Sequence, residues 1–347
     1  MRYILPISAF LAFSLTVGRA QTPAQRLYVT NEDSGDLTII DAGSATVLAT
    51  IPVGQRPRGL KVSPDGQTVY VALSGSPKCP PSMSDEECEK LTVDKTKDGI
   101  AVVSIAERRV VKVLPGGSDP EQFDLSRDGQ RLFIANEDVH TLTVLDVGSG
   151  QIVKTIPVSR EPEGVTVSPD GQWVYVTGET DHAVTVVDTK TLTPKAPIPV
   201  GVRPRNVVFS SDSRFAYVTG EFDHSVTVID VTTQKVLRRL TLPDSALPMG
   251  IVISADDKTL YVSNGRGKTI SEIDLATNKV RRSLEVGRRP WGLTISADGK
   301  YLYSANGPSN DVSVIDRTTW QVTSRIPTGK SPWGVVMGTA NAATAKQ

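Results

Sequence analysis

Cysteine is nearly absent from this 347-residue chain. There are two, with no Cys-x-x-Cys spacing and no Cys-x-x-Cys-His segment, so neither a dithiol redox motif nor a c-type haem attachment is indicated. Net charge is also missing. The 38 Lys and Arg balance 38 Asp and Glu, which argues against a dominant nucleic-acid or anionic-membrane footprint. Past residue 20 no stretch reaches the ~18 consecutive apolar residues of a membrane-spanning helix. There is no Gly-x-Ser-x-Gly elbow, no phosphate-cradling glycine loop and no zinc-protease motif. At 22% charged and 39% apolar residues, the composition is that of a soluble globular protein rather than a disordered or fibrous one.

The start of the chain reads as an address. Arg2 is followed by an uncharged, mostly apolar run over residues 3–17, then by Gly18-Arg19-Ala20 with small residues where a signal peptidase cuts. Residues 1–20 are therefore expected to be a secretory signal peptide, and the product to be periplasmic or secreted. No Cys near Ala20 suggests a lipid anchor.

What the chain has in plenty is turn residues, 28 Gly and 23 Pro, and they recur with a period. Leu27-Tyr28-Val29-Thr30-Asn31 returns around aromatic residues at positions 70, 133, 175, 217, 261 and 303. The spacings are 42, 63, 42, 42, 44 and 42, so one unit carries an insertion, over residues 74–99. Each unit holds four short β-branched runs between Gly, Pro and Asp turns, the pattern of antiparallel strands. Four strands per ~42 residues fit a propeller blade. The expected fold is all-β, a seven-bladed β-propeller of four-stranded antiparallel blades in a single domain over 21–340, with a disordered tail at 341–347. The chain enters at the second strand of a blade and ends on a lone first strand at 334–338. Pairing the two closes the ring and protects both edges. The Asp that ends each third strand, such as Asp188, is expected to cap a turn.

Tyr28-Val29-Thr30-Asn31 resembles the signature of the YVTN family of β-propellers, and the likeness runs over residues 27–338. Val53-Gly54-Gln55-Arg56-Pro57-Arg58-Gly59, Asp119-Pro120-Glu121, Glu161-Pro162-Glu163-Gly164 and the run Asn310-Asp311-Val312-Ser313-Val314-Ile315-Asp316 are similar to the seven-repeat propellers associated with PQQ-dependent catabolism. That resemblance implies a periplasmic accessory role beside quinoprotein dehydrogenases and a transport system, not a known reaction.

In such a ring the loops entering each first strand and those between second and third strands share one face, around the channel mouth, where binding residues concentrate. Residues flanking the proline before each first strand define the candidate mouth. They are Arg56 and Arg58, Asp119 and Glu121, Glu161 and Glu163, Arg203 and Arg205, Met249, Arg289 with Trp291, and Trp333. A charged half facing an aromatic half suits a small ligand or a protein partner. The alternative is that these Arg and Glu residues pair with each other as solvated salt bridges of little worth.

All three histidines, His140, His182 and His224, are 42 residues apart, each three after a glutamate: Glu137, Glu179 and Glu221. The residue types are those of a divalent-metal site. Blades turned by about 51°, with strands ~4.8 Å apart, place neighbouring histidine backbones roughly 14 Å apart, so bonding to the next blade is the better account. Cys79 and Cys88 lie in the insertion and, in an exported chain, read as a disulfide closing a small loop that could partly cover the mouth.

The function expected from the sequence is a non-enzymatic exported accessory protein supporting quinoprotein oxidation. PQQ is a possible ligand, no cofactor is required, and a quinoprotein dehydrogenase, a transport component or a small molecule is the partner. The alternative is a propeller enzyme, metal-dependent or a lactonase-like hydrolase, using the Glu and His residues of the mouth. Nucleic acid is disfavoured by the neutral charge and by export.

Overall fold

The computed structural model describes residues 25–78, 83–84, 86–87 and 90–339. The expected signal segment 1–20, the pair Cys79 and Cys88, and the tail 341–347 lie outside the described residues. Among the described residues, seven four-stranded antiparallel sheets form a ring, with helix limited to short turns. The all-β, seven-bladed propeller read from the repeat is observed. Blade 1 joins the two ends of the described chain. Its innermost strand Pro332–Thr339 pairs with Gln25–Asn31, followed by Asp36–Asp41 and Thr46–Pro52. Blades 2 to 7 follow in chain order, each beginning with its innermost strand: Leu60–Val62, Pro120–Leu125, Pro162–Val167, Pro204–Phe209, Pro248–Ile253 and Pro290–Ile295.

Each blade is apolar on both faces of its middle strands, because each is sandwiched between neighbours. The repeated aromatic residue fills that sandwich. Tyr175 of blade 4 lies edge-on to Phe209 of blade 5, ring centres 4.8 Å apart, within a cluster that includes Val184, Val207 and Val218. The outermost strands carry the charge, as in the mostly exposed Lys235–Thr241, which blunts an edge that would otherwise recruit other chains.

The threonine of the repeat has a separate task. Thr30, Thr219 and Ser263 each donate a side-chain hydroxyl to a carbonyl in, or just ahead of, the next blade's innermost strand: Arg58 O at 2.7 Å, Met249 O at 2.9 Å and Trp291 O at 2.7 Å. These strands converge on the axis, so their backbones nearly touch. A Cβ on Gly164 would fall 2.5 Å from Arg205 O.

The aspartates ending the third strands are turn caps. Asp188 Oδ1 accepts the Thr191 N–H at 2.7 Å, and Asp230, Asp274 and Asp316 repeat the arrangement. Those backbone hydrogen bonds hold the carboxyls below the usual range. No helix of the described residues is long and apolar enough to cross a membrane.

The convergence of the innermost strands predicts that Gly164→Ala destabilises the protein by about 1–3 kcal/mol, as overpacking does. Gly148→Ala, whose added Cβ would meet only the Asp146 carboxylate at 3.5 Å, should leave the thermal midpoint nearly unchanged. Equal midpoints for the two variants would refute the close-approach account.

Candidate active site

The mouth is built on strained backbone. Arg56, Asp119, Glu161, Arg203, Arg289 and Ser331 each precede the proline that opens an innermost strand, and each has a positive φ, between 42° and 55°. Left-handed backbone costs an L-residue roughly 1–2 kcal/mol, so the surroundings must hold it. The histidines supply part of that hold. His140 and His182 occupy a left-handed turn position, φ 54° and 52°, that is filled by Gly35, Lys268 and Asn310 in other blades. His140 Nδ1 accepts the N–H of Glu161 at 3.2 Å, His182 Nδ1 that of Arg203 at 3.2 Å, and Asn310 Oδ1 that of Ser331 at 2.9 Å. His224 turns instead to the carbonyl of Ala246. The 42-residue recurrence of histidine thus reflects a shared turn whose side chain ties one blade to the next. Among the described residues, no group of three or more His, Cys, Asp or Glu side chains is arranged to hold a metal ion.

Two buried arginines organise the charged half. The Arg58 side chain, 4% exposed, meets Asp119 at 2.6 Å, Glu137 at 3.3 Å and Glu121. Arg205 meets Glu221 at 2.8 Å together with Glu163 and Glu179. Arg203 adds a bond to Glu179 at 2.6 Å, and Arg56 one to Glu32 at 3.0 Å. The pairing expected between blades is present, but its two centres are buried rather than solvated. At low dielectric, removing one partner of such a pair costs several kcal/mol because the other is left uncompensated.

These groups wall a cavity of about 800 Å³ on the mouth face. Arg56, Arg58, Asp119, Glu121, Glu137, Glu163, Glu179, Arg203, Arg205, Arg289, Trp291 and Trp333 all line it. Glu161 and Met249 do not. Glu161 is exposed and accepts the Thr180 hydroxyl, while Met249 is buried against Gly265. Glu221 is buried behind Arg205. Glu32, Asp33, Asp138 and Ser74 escaped the sequence reading, although Glu32 and Ser74 stand four residues after their aromatic residue, as Glu137, Glu179 and Glu221 do. Ser74 donates to Asp119, and Asp98 accepts the Asp119 N–H at 3.0 Å.

The insertion reaches over this charged half. Lys78 binds Glu32 at 3.1 Å on blade 1, Lys95 binds Asp138 on blade 3, and Leu91 and Val93 face the cavity. On the opposite wall Trp291 and Trp333 lie 5.3 Å apart, with the Arg289 guanidinium 4.8 Å from the Trp291 ring centre.

Glu137 is set apart. Its carboxyl is pushed up to about 7 by desolvation, with the Asp119 and Glu163 charges adding to the rise and Arg58 opposing it. Its side chain is nonetheless 38% exposed, so it opens onto the cavity. A carboxyl that is half-ionised at neutral pH and reachable from a cleft can accept or deliver a proton there.

Fold and site together define a seven-bladed β-propeller with a recessed, charged mouth cavity. The chain belongs to the choice-of-anchor I domain family, whose model matches residues 20–203. A second family model, described as a lactonase, 7-bladed beta-propeller, matches residues 189–325. Among solved structures, the periplasmic gluconolactonase of Pseudomonas aeruginosa superimposes with a TM-score of 0.72 at 22% identity, covering 91% of this chain and 99% of that one. Hydrazine synthase of Kuenenia stuttgartiensis gives 0.71 at 21%, covering 88% and 99%. At such identities the likeness establishes the fold. No curated protein matches the sequence. The lactonase family model corrects the expectation of a non-enzymatic accessory to PQQ-dependent oxidation, because it favours the lactonase-like alternative instead.

The raised Glu137 carboxyl has a consequence for stability. The native state holds this proton up to about pH 7, whereas an unfolded glutamate releases it near 4.5. The residue therefore costs progressively more stability as pH rises from 4.5 to 7. Glu137→Gln is expected to raise the thermal midpoint at pH 8 relative to its effect at pH 5. A pH-independent difference would rule this out.

Proposed function

We propose that the mouth cavity hydrolyses a lactone, with Glu137 as the general base. The observation that carries this reading is a carboxyl titrating near 7 that opens onto a cavity of about 800 Å³. The lactonase family match over residues 189–325 supports it, as does the fold shared with a gluconolactonase. A recessed cavity of this size suits a small molecule better than a protein surface.

The chemistry follows from the groups present. Ionised Glu137 takes a proton from a water molecule as its oxygen adds to the lactone carbonyl carbon. The carbonyl oxygen takes up the negative charge of the tetrahedral intermediate, while Arg58, whose Nη1 stands 3.3 Å from Glu137 Oε2, holds that carboxyl in place. Collapse breaks the ring C–O bond, and the departing oxygen takes the proton from Glu137. The product is a hydroxy acid and the carboxylate is regenerated. Export, expected from residues 1–20, would place this reaction outside the cytoplasm.

Ring opening of a sugar lactone, followed as acid release in a pH-stat and corrected for spontaneous hydrolysis, tests the proposal. The enzymatic rate should climb through about pH 7 as Glu137 ionises, and Glu137→Gln should lower kcat by roughly 10²–10⁴-fold. An unimpaired Glu137→Gln variant, or a wild-type protein that adds nothing to the spontaneous rate, would sink it.

A further inference from the structure

The repeat contains a pairing rule and one exception to it. Where arginine precedes the proline of an innermost strand, its Nε bonds the glutamate four residues after the aromatic of the preceding blade. Arg56 of blade 2 reaches Glu32 of blade 1 at 3.1 Å, and Arg203 of blade 5 reaches Glu179 of blade 4 at 2.6 Å. Arg289 of blade 7 has the same position, the same proline and the same left-handed backbone, φ 50°. Four residues after Tyr261 of blade 6, however, stands Gly265. The carboxylate that the rule would supply is missing.

Nothing else takes its place. Among the described residues the Arg289 guanidinium makes no hydrogen bond or ion pair, and it lies over the Trp291 ring, 4.8 Å from its centre. Its loop is otherwise fixed, since the neighbouring Arg288 N–H donates to Ser309 Oγ at 2.8 Å and Arg288 Nη2 to Pro308 O at 2.7 Å. Arg289 thus presents an unpaired fork of donors to the mouth cavity, on a rigid aromatic platform. Desolvation and the nearby Arg205 hold its pKa below the usual range, which marks a cation lacking its counter-charge.

We propose that Arg289 is the specificity residue of the mouth, and that it binds a free carboxylate on the substrate in the position Gly265 leaves vacant. This rests on the lactonase reading for the reaction but not for the binding. The preferred substrate is then a lactone bearing one carboxylate, such as the monolactone of an aldaric acid. A guanidinium fork matches a planar carboxylate through two parallel hydrogen bonds. A phosphate dianion fits the electrostatics poorly, because eight carboxylates against six cationic side chains line the cavity and five of those cations are already paired.

The test compares three substrates: a neutral aldonolactone, an aldaric monolactone with one free carboxylate, and an aldonolactone 6-phosphate. The wild type should favour the carboxylate over the neutral compound by at least roughly tenfold in kcat/KM, the worth of a charge-assisted hydrogen bond, and should not favour the phosphate over it. Arg289→Gln should erase that preference, lowering kcat/KM on the carboxylate substrate at least roughly tenfold more than on the neutral one. Gly265→Glu should erase it too, by restoring the internal partner, whereas Gly265→Ala should keep it. The alanine is the size control, since any Cβ there meets the flexible Met249 Cγ at 2.9 Å. Preference for the phosphate, or an equal loss on both substrates in Arg289→Gln, overturns the proposal. Should no lactone be hydrolysed, the catalytic reading fails by itself. Calorimetric binding of the open-chain aldarate then decides the carboxylate site: binding lost in Arg289→Gln and in Gly265→Glu supports it, and no binding to wild type overturns it.

Discussion

A guanidinium walled off from water must find counter-charge within hydrogen-bond reach, and that requirement organises the mouth of this propeller. Arg58 and Arg205 sit where the innermost strands converge, each with three carboxylates drawn from more than one position of the repeat. The carboxylates outnumber the cations. One of them, Glu137, must therefore share Arg58 with two competitors, and its carboxyl is pushed up to about 7. The perturbed carboxyl is a consequence of the count and the burial rather than of any single contact.

The same requirement explains why the loops tolerate strain. A left-handed residue before proline is an unfavourable conformation, yet it recurs in six blades. Three of these loops are braced by the neighbouring blade, through an imidazole nitrogen at Glu161 and Arg203 and through an asparagine oxygen at Ser331. Blade-to-blade bonding thus does at the mouth what the threonine hydroxyls do near the axis.

The sequence carried the fold almost whole, because the features that specify a blade are local and repeat. The aromatic spacing, the Asp caps and the orphan strands at either end each have one geometric meaning, and the ring closes as they require. The site was legible only in part. Slots flanking the prolines could be read, and ten of the twelve mouth residues named from them line the cavity. Glu161 and Met249 could not be placed, since which way a side chain turns from its slot depends on neighbours in another blade. For the histidines the 42-residue spacing and blade geometry already pointed to bonding with the next blade rather than to a ligand set, although the left-handed turn beneath them was not legible. The burial of the ion pairs, and with it the state of Glu137, depends on three blades meeting and leaves no trace in any one of them. The accessory role implied by the family resemblance was not upheld, because the likeness lay in repeat motifs, which encode blades rather than chemistry.

Blade 1 takes its innermost strand from Pro332–Thr339 and the other three from residues 25–52. During synthesis six blades' worth of sequence emerges before that sheet can be finished. Until then the strand Gln25–Asn31 has an open inner edge, and the first and last blades have nothing to press against across the seam. The ring is consequently a late event, and a chain cut short anywhere before residue 332 is left with two sticky rims instead of one closed wheel. Synthesis is thereby checked by topology, since only a product that reaches the strand Pro332–Thr339 can hide its own edges.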